Sequence, residues 1–335
     1  MSRDIAIDLG TANTLIYVSG KGIVLNEPTV IALNRENGQV LAMGQEAFRM
    51  IGRTPGYIVA ERPLRRGAIS DFDITERYIR LLMEKVGVRK RIPRPRALIC
   101  IPSAITEVER RAVQEAAVAA GARSAHLIEE PIAAAIGAGL PIHEPTGNLV
   151  VDIGGGTSEV GVLAMGGVVV NKSVRVGGFD IDDAITRHIR KEYAIVVGER
   201  TAEQIKIAIG SAFPLAEEEK AEIRGRDLAT GLPKTVQITS EEIREAIADP
   251  VTQITQAVVS ALSETPPELS QDILTRGIAL TGGSGLLRGL EMRLSEECDV
   301  PVHLTDRPLE CVALGAGQCL EAFSTLKDLF VSTGR

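Results

Sequence analysis

The stretch Leu149–Val160 reads LVVDIGGGTSEV. Three apolar residues lead into Asp152, Gly154, Gly155 and Gly156 follow, and Thr157 opens a second apolar run from Val160 to Leu163. This order predicts a strand, a tight glycine turn and a returning strand. Without a Cβ, such a turn can take positive φ and bring backbone N–H groups close to an anion. A carboxylate at the end of the first strand is suited to a divalent cation riding on phosphates. Taken alone, the stretch reads equally well as an ordinary β-hairpin.

A second copy decides between the two. Ile5–Thr14 reads IAIDLGTANT, with Asp8 matching Asp152, Gly10 matching Gly154 and Thr11 matching Gly155 at a constant offset of 144. The offset persists at Gly22 and Gly166, and at Ile23–Leu25 and Gly167–Val169. An internal repeat of this kind implies two similar halves facing one ligand.

Composition sets the bounds. The 335 residues suffice for two domains with separate cores, and 44% hydrophobic with 24% charged residues is ordinary for a soluble globular protein. A net charge of −7 argues against general nucleic-acid binding. No apolar run approaches the ~18 residues of a membrane span. No charged-then-apolar leader precedes Asp8, so no secretory signal is expected. Cys100, Cys298, Cys311 and Cys319 lack C-x-x-C spacing and read as reduced thiols of a cytoplasmic protein.

A third glycine turn, Gly282-Gly283-Ser284-Gly285, follows the expected strand Gly277–Thr281 and precedes an expected helix Leu286–Leu294. Strand, glycine turn and helix N-terminus together suit an anion. On the expected helix Thr201–Ser211, Glu203 and Lys206 share one face. They suit the hydroxyls of a ribose, or form a surface ion pair worth little. Glu129-Glu130-Pro131 opens an alanine-rich helix, Ile132–Ala138, with proline in its first turn. Asp71 is an expected N-cap, and Thr106 with Glu109 an expected capping box. Ser240 is the expected cap of a helix Ser240–Ile247, and Leu215–Gly225 reads as an acidic, polar stretch. Gly315-Ala316-Gly317 inside a helix predicts close approach of another backbone. The basic segment from Arg89 to Arg96 is a proline-interrupted loop, either solvated or in contact with anionic lipid. P-loop, dinucleotide-binding, G-x-S-x-G and His/Cys metal motifs are absent from the sequence.

DLGTANT (Asp8–Thr14), DIGGGTSEV (Asp152–Val160) and LTGGSGLLRGL (Leu280–Leu290) resemble the two phosphate motifs and the adenosine motif of the actin, Hsp70 and sugar-kinase ATPase fold. LIEEPIAAAIGAGL (Leu127–Leu140) and ALGAG (Ala313–Gly317) resemble its connecting helices. GIVLNEPTVIA, VERRAV, VGERTAEQIK and ETPPELSQDI are similar to the MreB family of bacterial actins. The resemblance implies an α/β actin-like ATPase fold. Two ribonuclease H-like halves are expected, each a mixed five-stranded sheet flanked by helices and carrying a small insert. Subdomain IA is expected at 1–32, 71–146 and 306–335, IB at 33–70, IIA at 147–181 and 246–305, and IIB at 182–245.

The function so implied is that of an ATP-binding cytoskeletal protein that polymerises, in paired protofilaments, beneath the cell membrane. It guides peptidoglycan synthesis with the cell-wall elongation complex, sets rod shape, hydrolyses ATP slowly and uses Mg²⁺. Carried over by motif, Thr11, Ala12 and Asn13 meet the phosphates from one side, and Gly155, Gly156 and Thr157 from the other. Glu203, Gln204, Ile205 and Lys206 face ribose and adenine, and Gly282, Gly283, Ser284 and Gly285 complete the nucleoside pocket. Asp8 and Asp152 serve the metal through its waters, and Glu130 orients the attacking water. The family pattern after Thr281 is GGGS where this chain has GGSG, and the membrane-binding loop of relatives corresponds here to a basic segment whose one apolar residue is Ile92. A chaperone ATPase or a small-molecule kinase shares the fold. The first is expected to carry a substrate domain and the second a catalytic acid in a sugar pocket, and neither shows in the sequence.

Overall fold

The sequence repeat is carried into two five-stranded sheets of one topology. The computed structural model describes residues 4–87 and 94–331; of the basic segment expected from Arg89 to Arg96, residues 89–93 lie outside the described residues. The first half contains β1 (Ile5–Leu9), β2 (Asn13–Val18), β3 (Gly22–Pro28), β4 (Ile31–Asn34), β5 (Val40–Met43), α1 (Gln45–Met50) and β6 (Ile58–Glu61). It continues through β7 (Leu64–Arg65), β8 (Ala68–Ile69), α2 (Phe72–Lys85), β9 (Arg96–Ile101), α3 (Glu107–Ala120), β10 (Ser124–Glu129) and α4 (Glu130–Gly137). The second half opens with β11 (Asn148–Ile153), β12 (Ser158–Ala164), β13 (Gly167–Val174), α5 (Gly178–Tyr193), β14 (Ile195–Val196) and α6 (Glu199–Ile209). Then come β15 (Lys220–Asp227), β16 (Pro233–Thr239), α7 (Ser240–Ala246), α8 (Ala248–Glu264) and α9 (Pro267–Arg276). The last elements are β17 (Ile278–Thr281), α10 (Leu290–Cys298), β18 (Val302–Leu304), α11 (Cys311–Glu321) and α12 (Phe323–Leu326).

The sheets run β3-β2-β1-β9-β10 and β13-β12-β11-β17-β18. In each, a three-strand antiparallel meander is extended by two parallel strands. Parallel pairing demands crossover connections, and helices supply them. Two smaller sheets, β5-β4-β6 and β14-β15-β16, stand apart from the large ones.

Period-two alternation explains how the acids meet. Ile5, Ile7 and Leu9 enter the outer core of the first half, and Leu149, Val151 and Ile153 that of the second. The intervening Ala6 and Val150 point the other way, into a third core shared by both sheets with α4 and α11. Asp8 and Asp152 continue this inward parity at the ends of their strands, so both carboxylates face the layer between the halves.

That layer is thin because α4 and α11 cross on glycine. A Cβ on Gly315 would fall 2.7 Å from the backbone nitrogen of Gly137, and one on Gly317 would meet the Tyr17 ring. This is the close approach expected from the sequence.

The predicted caps of α2 (Asp71) and α3 (Thr106 with Glu109) are formed, and the four cysteines are free. β15 begins within the stretch read as acidic and polar; it buries only Ile223, so its charges hide a strand with one solvated face. Two expectations are corrected. α7 is capped by Thr239, whose Oγ1 accepts from the Glu242 amide, and Ser240 is already inside the helix. The third glycine turn itself winds into a 3₁₀ turn, Gly283–Leu286, where the helix from Leu286 is expected to begin. Gly289, at φ 72°, delays α10 to Leu290. No helix among the described residues is long and apolar enough to cross a membrane.

Candidate functional site

The three glycine turns line one cleft of about 450 Å³ between the halves. The first turn is braced by the β3–β4 junction. Thr29 Oγ1 donates to the Gly10 carbonyl at 2.7 Å, and the Thr29 amide donates to the Ala12 carbonyl at 2.8 Å. The Gly67 amide donates to Thr11 Oγ1 at 3.0 Å. The second turn closes on itself, with the Gly154 amide donating to the Thr157 carbonyl at 2.9 Å. The start of α5 rests on it through Gly178 N–H to Gly154 O (3.0 Å) and Phe179 N–H to Gly155 O (2.9 Å). Ser284 Oγ, from the third turn, also donates to Gly154 O at 2.9 Å. Gly282, at φ 83°, lies so close to the Ile153 carbonyl that no side chain fits.

The first two turns face each other across the cleft. A Cβ on Gly155 would stand 2.6 Å from Ala12 Cβ, and one on Gly156 would stand 2.7 Å from Thr11 Oγ1. Backbone from both halves therefore converges where any side chain would intrude.

Behind the turns gather four acids. Asp152 pairs across β11–β12 with Glu159, whose carboxylate accepts from the Ser103 amide at 3.2 Å and from Ser173 Oγ at 2.5 Å. Glu130, 8% exposed, is the first residue of α4, with Pro131 behind it. Burial pushes the Asp8 carboxyl up to about 7. Burial, then Asp8 and Glu159, push Asp152 up to about 8. Burial and then Glu159, Asp152 and Asp8 hold Glu130 well above the usual carboxylate range. Crowded, desolvated carboxylates of this kind call for a cation. Among the described residues no three His, Cys, Asp or Glu groups are close enough to hold a metal ion directly.

At the other end, α6 presents Glu203, Lys206 and Ile207 to the cleft, the i, i+3, i+4 face of a helix, and Gly210 lines it just past the helix end. Gln204 is exposed and Ile205 is buried in the outer core, so neither lines the cleft. Gly285 likewise lies against Leu280 and Leu304 instead of the opening. Thr11, Ala12, Asn13, Gly155, Gly156, Thr157, Gly282, Gly283 and Ser284 line it with Asp8, Asp152 and Glu130. Lys206 pairs with buried Asp182 at 2.9 Å, not with Glu203. Ile207 (70% exposed), Leu286 (48%) and Leu309 (51%) offer an apolar rim for a flat ring system. Sequence reading missed these three and Asp182; the helical period from Glu203 and Lys206 reaches Ile207, whereas the others depend on long-range packing.

The segment after β6 reaches the second half. Arg62 pairs with Glu199 at 2.5 Å and lies 4.3 Å over the Phe179 ring, and Arg66 pairs with Asp180 at 3.1 Å. A second cleft, of about 510 Å³, opens at the N-terminal ends of β11 and β17 near Arg276 and His303. It contains none of the glycine turns or clustered acids.

Comparison with known proteins agrees with this geometry. The chain is 51% identical over 325 residues to the cell shape-determining protein Mbl of Bacillus cereus, covering 97% of this chain and 98% of that protein. It is 51% identical over 325 residues to the cell shape-determining protein MreB of Escherichia coli, covering 96% and 94%. The crystal structure of MreB5 of Spiroplasma citri bound to ADP superposes with a TM-score of 0.92 at 36% identity, covering 98% and 99%. MamK, described in a double helical filament, shares the actin-like fold at a TM-score of 0.82 and 19% identity, covering 95% and 98%. The family model for MreB/Mbl protein matches residues 2–328, and the chain belongs to that cell shape-determining, actin-like family.

Proposed function

We propose that this chain binds ATP between its two halves, polymerises into filaments and, through them, determines cell shape. The observation that carries the reading is the apposition of the two repeated turns, Gly155 against Ala12 and Gly156 against Thr11. Phosphate oxygens are the ligand chemistry that suits facing backbone turns with acids behind them. A bound Mg²⁺ would neutralise charge on the phosphates, with Asp8 and Asp152 receiving its waters. Glu130, inside the first turn of α4, is aimed from the acid cluster into the same space. It orients a water and accepts its proton, and hydrolysis is slow. Glu203 and Lys206 serve the ribose, and the Ile207–Leu286–Leu309 rim serves the base. One relative, MreB5 of Spiroplasma citri, crystallised with ADP and with AMPPNP, supports the nucleotide assignment.

The four-subdomain division belongs to this reading. It is supported by the small sheets, whose strands lie within 31–61 and 195–239. Attachment to the inner membrane face and guidance of peptidoglycan synthesis with elongation-complex proteins follow from family membership, and are proposed on that ground. Sedimentation with Mg²⁺-ATP tests the core of the proposal. The protein should pellet with ATP and bind a fluorescent ATP analogue. Failure to bind the analogue would overturn the site, and binding without assembly would overturn the filament.

A further inference from the structure

Asp182 is a carboxylate without an obvious employment. It sits on α5, 3% exposed, and borders the nucleoside end of the cleft. Its Oδ1 stands 2.9 Å from the Lys206 ammonium of α6 as an ion pair, and neither carboxylate oxygen has a hydrogen-bond partner among the described residues. Lys206 is itself largely covered, and its Nζ also donates to the Gly178 carbonyl at 3.1 Å. An ammonium has three N–H donors. One is spent on the Gly178 carbonyl and the Asp182 carboxylate flanks the ammonium, both from α5, which leaves donor capacity for the cleft that Lys206 lines.

A lysine on a four-carbon stem ordinarily swings toward the densest negative charge in reach. Here that would be a polyphosphate, since the phosphate-type turn at Gly154 is one hydrogen bond away. Gly178 O accepts from Lys206 while Gly178 N–H donates to Gly154 O. The buried carboxylate offsets the ammonium charge and fixes its direction. Burying an anion is costly, and it is retained where a specific geometry depends on it.

We propose that Asp182 is a positioning residue that holds Lys206 as a fixed, charge-compensated donor to the sugar hydroxyls, and so makes the site selective for the ribose of its nucleotide. The inference rests on the ATP-binding reading above. Asp182 acts through Lys206 and does not touch the nucleotide. Glu203, one turn before Lys206 on the same face, supplies the complementary acceptor.

The test compares affinities for ATP, 2′-deoxyATP, 3′-deoxyATP and inorganic tripolyphosphate. It uses the full chain, Asp182→Ala, Asp182→Asn, Lys206→Met and the double variant Asp182→Ala/Lys206→Met. A hydrogen bond from a charged donor to a sugar hydroxyl gives a discrimination of about tenfold or more. Wild type should therefore prefer ATP by that factor over at least one deoxynucleotide. Asp182→Ala should bring the ratio to within about threefold and strengthen tripolyphosphate binding, as the released ammonium turns to phosphate. Asp182→Asn, which keeps the shape and loses the charge, should shift the ratio the same way by less, and provides the comparison if the alanine variant does not fold. In the Lys206→Met background, removing Asp182 should leave the ratio unchanged. A ratio, unlike an affinity, does not move with the fraction of folded protein. ATP binding by wild type without sugar discrimination would overturn the inference and leave the nucleotide site standing. Unchanged discrimination in both Asp182 variants, or an equal effect of Asp182→Ala with and without Lys206, would also overturn it. Absence of ATP binding by wild type would instead overturn the reading beneath it.

Discussion

Replacing Gly315 by alanine sets two effects of opposite sign against each other. In an isolated helix the change would stabilise α11 by about 1 kcal/mol, because alanine restricts the unfolded chain and favours the helix. In the folded protein the added methyl would overlap the Ala133 carbonyl. It would also lie 2.8 Å from the Ala133 carbonyl carbon and 2.7 Å from the Gly137 nitrogen. All three atoms are backbone of α4, so no rotamer change relieves the overlap. The helices must separate by on the order of 1 Å, which opens the shared core lined by Ala133, Ala134, Val312 and Ala316. Overpacking of this kind costs about 1–3 kcal/mol, and weaker dispersion attraction along the opened seam adds to it. The clash should win, leaving the variant less stable by roughly 2 kcal/mol. Urea unfolding followed by far-UV circular dichroism measures this as a lower midpoint at unchanged slope. Gly137→Ala should behave alike, because its methyl meets the Cys311 carbonyl of the same crossing, and the double variant should cost less than the sum. Since α4 begins at Glu130, ATP hydrolysis should fall as well. A midpoint raised by the helix-propensity increment would refute the reasoning, for it would show that the crossing has room for a methyl.

Three further outcomes follow from the site. Glu130→Ala should keep ATP binding and assembly while slowing phosphate release by roughly 10²-fold or more, and Glu129→Ala should change it little; equal rates for Glu130→Ala and wild type would remove the assignment. Gly155→Val should abolish binding of a fluorescent ATP analogue in a folded protein, since even a Cβ there meets Ala12 and Phe179; retained affinity would place the phosphates elsewhere. The native pKa values of Asp8 and Asp152, about 7 and about 8, exceed those of the unfolded chain. Their contribution to stability is therefore fully present below about pH 4 and is lost as pH rises through 7 to 8, by on the order of 4 kcal/mol for Asp8. Melting of nucleotide-free protein should fall between pH 6 and 8.5, and Mg²⁺-ATP should remove most of that slope; a flat nucleotide-free profile would contradict the burial of these acids.

The repeat at offset 144 was the most legible part of the fold, because a strand, an acid and a glycine turn are local signals that occur twice. Parity along β1 and β11 then places both acids on one layer. The capping box at Thr106 and the glycines of α11 were legible for the same local reason. What escaped was either nonlocal or locally ambiguous. β15 carries charge on most of its positions and shows a single buried isoleucine. Ile205 and Ile207 are both apolar, and only the register of α6 against the core sends one inward and the other to the cleft. Asp182 and the Arg62–Glu199 pair join residues whose contact the tertiary fold alone creates.

Because the three glycine turns hang from two separate sheets, any molecule gripped by all of them becomes mortar between the halves. On the proposed reading, nucleotide at a hundred times its dissociation constant adds about 2.7 kcal/mol to the cohesion of the chain. Subunits starved of nucleotide would then open more often, and proteases would find them first. A cell short of ATP would thin its own cytoskeleton by attrition, before any filament was told to come apart.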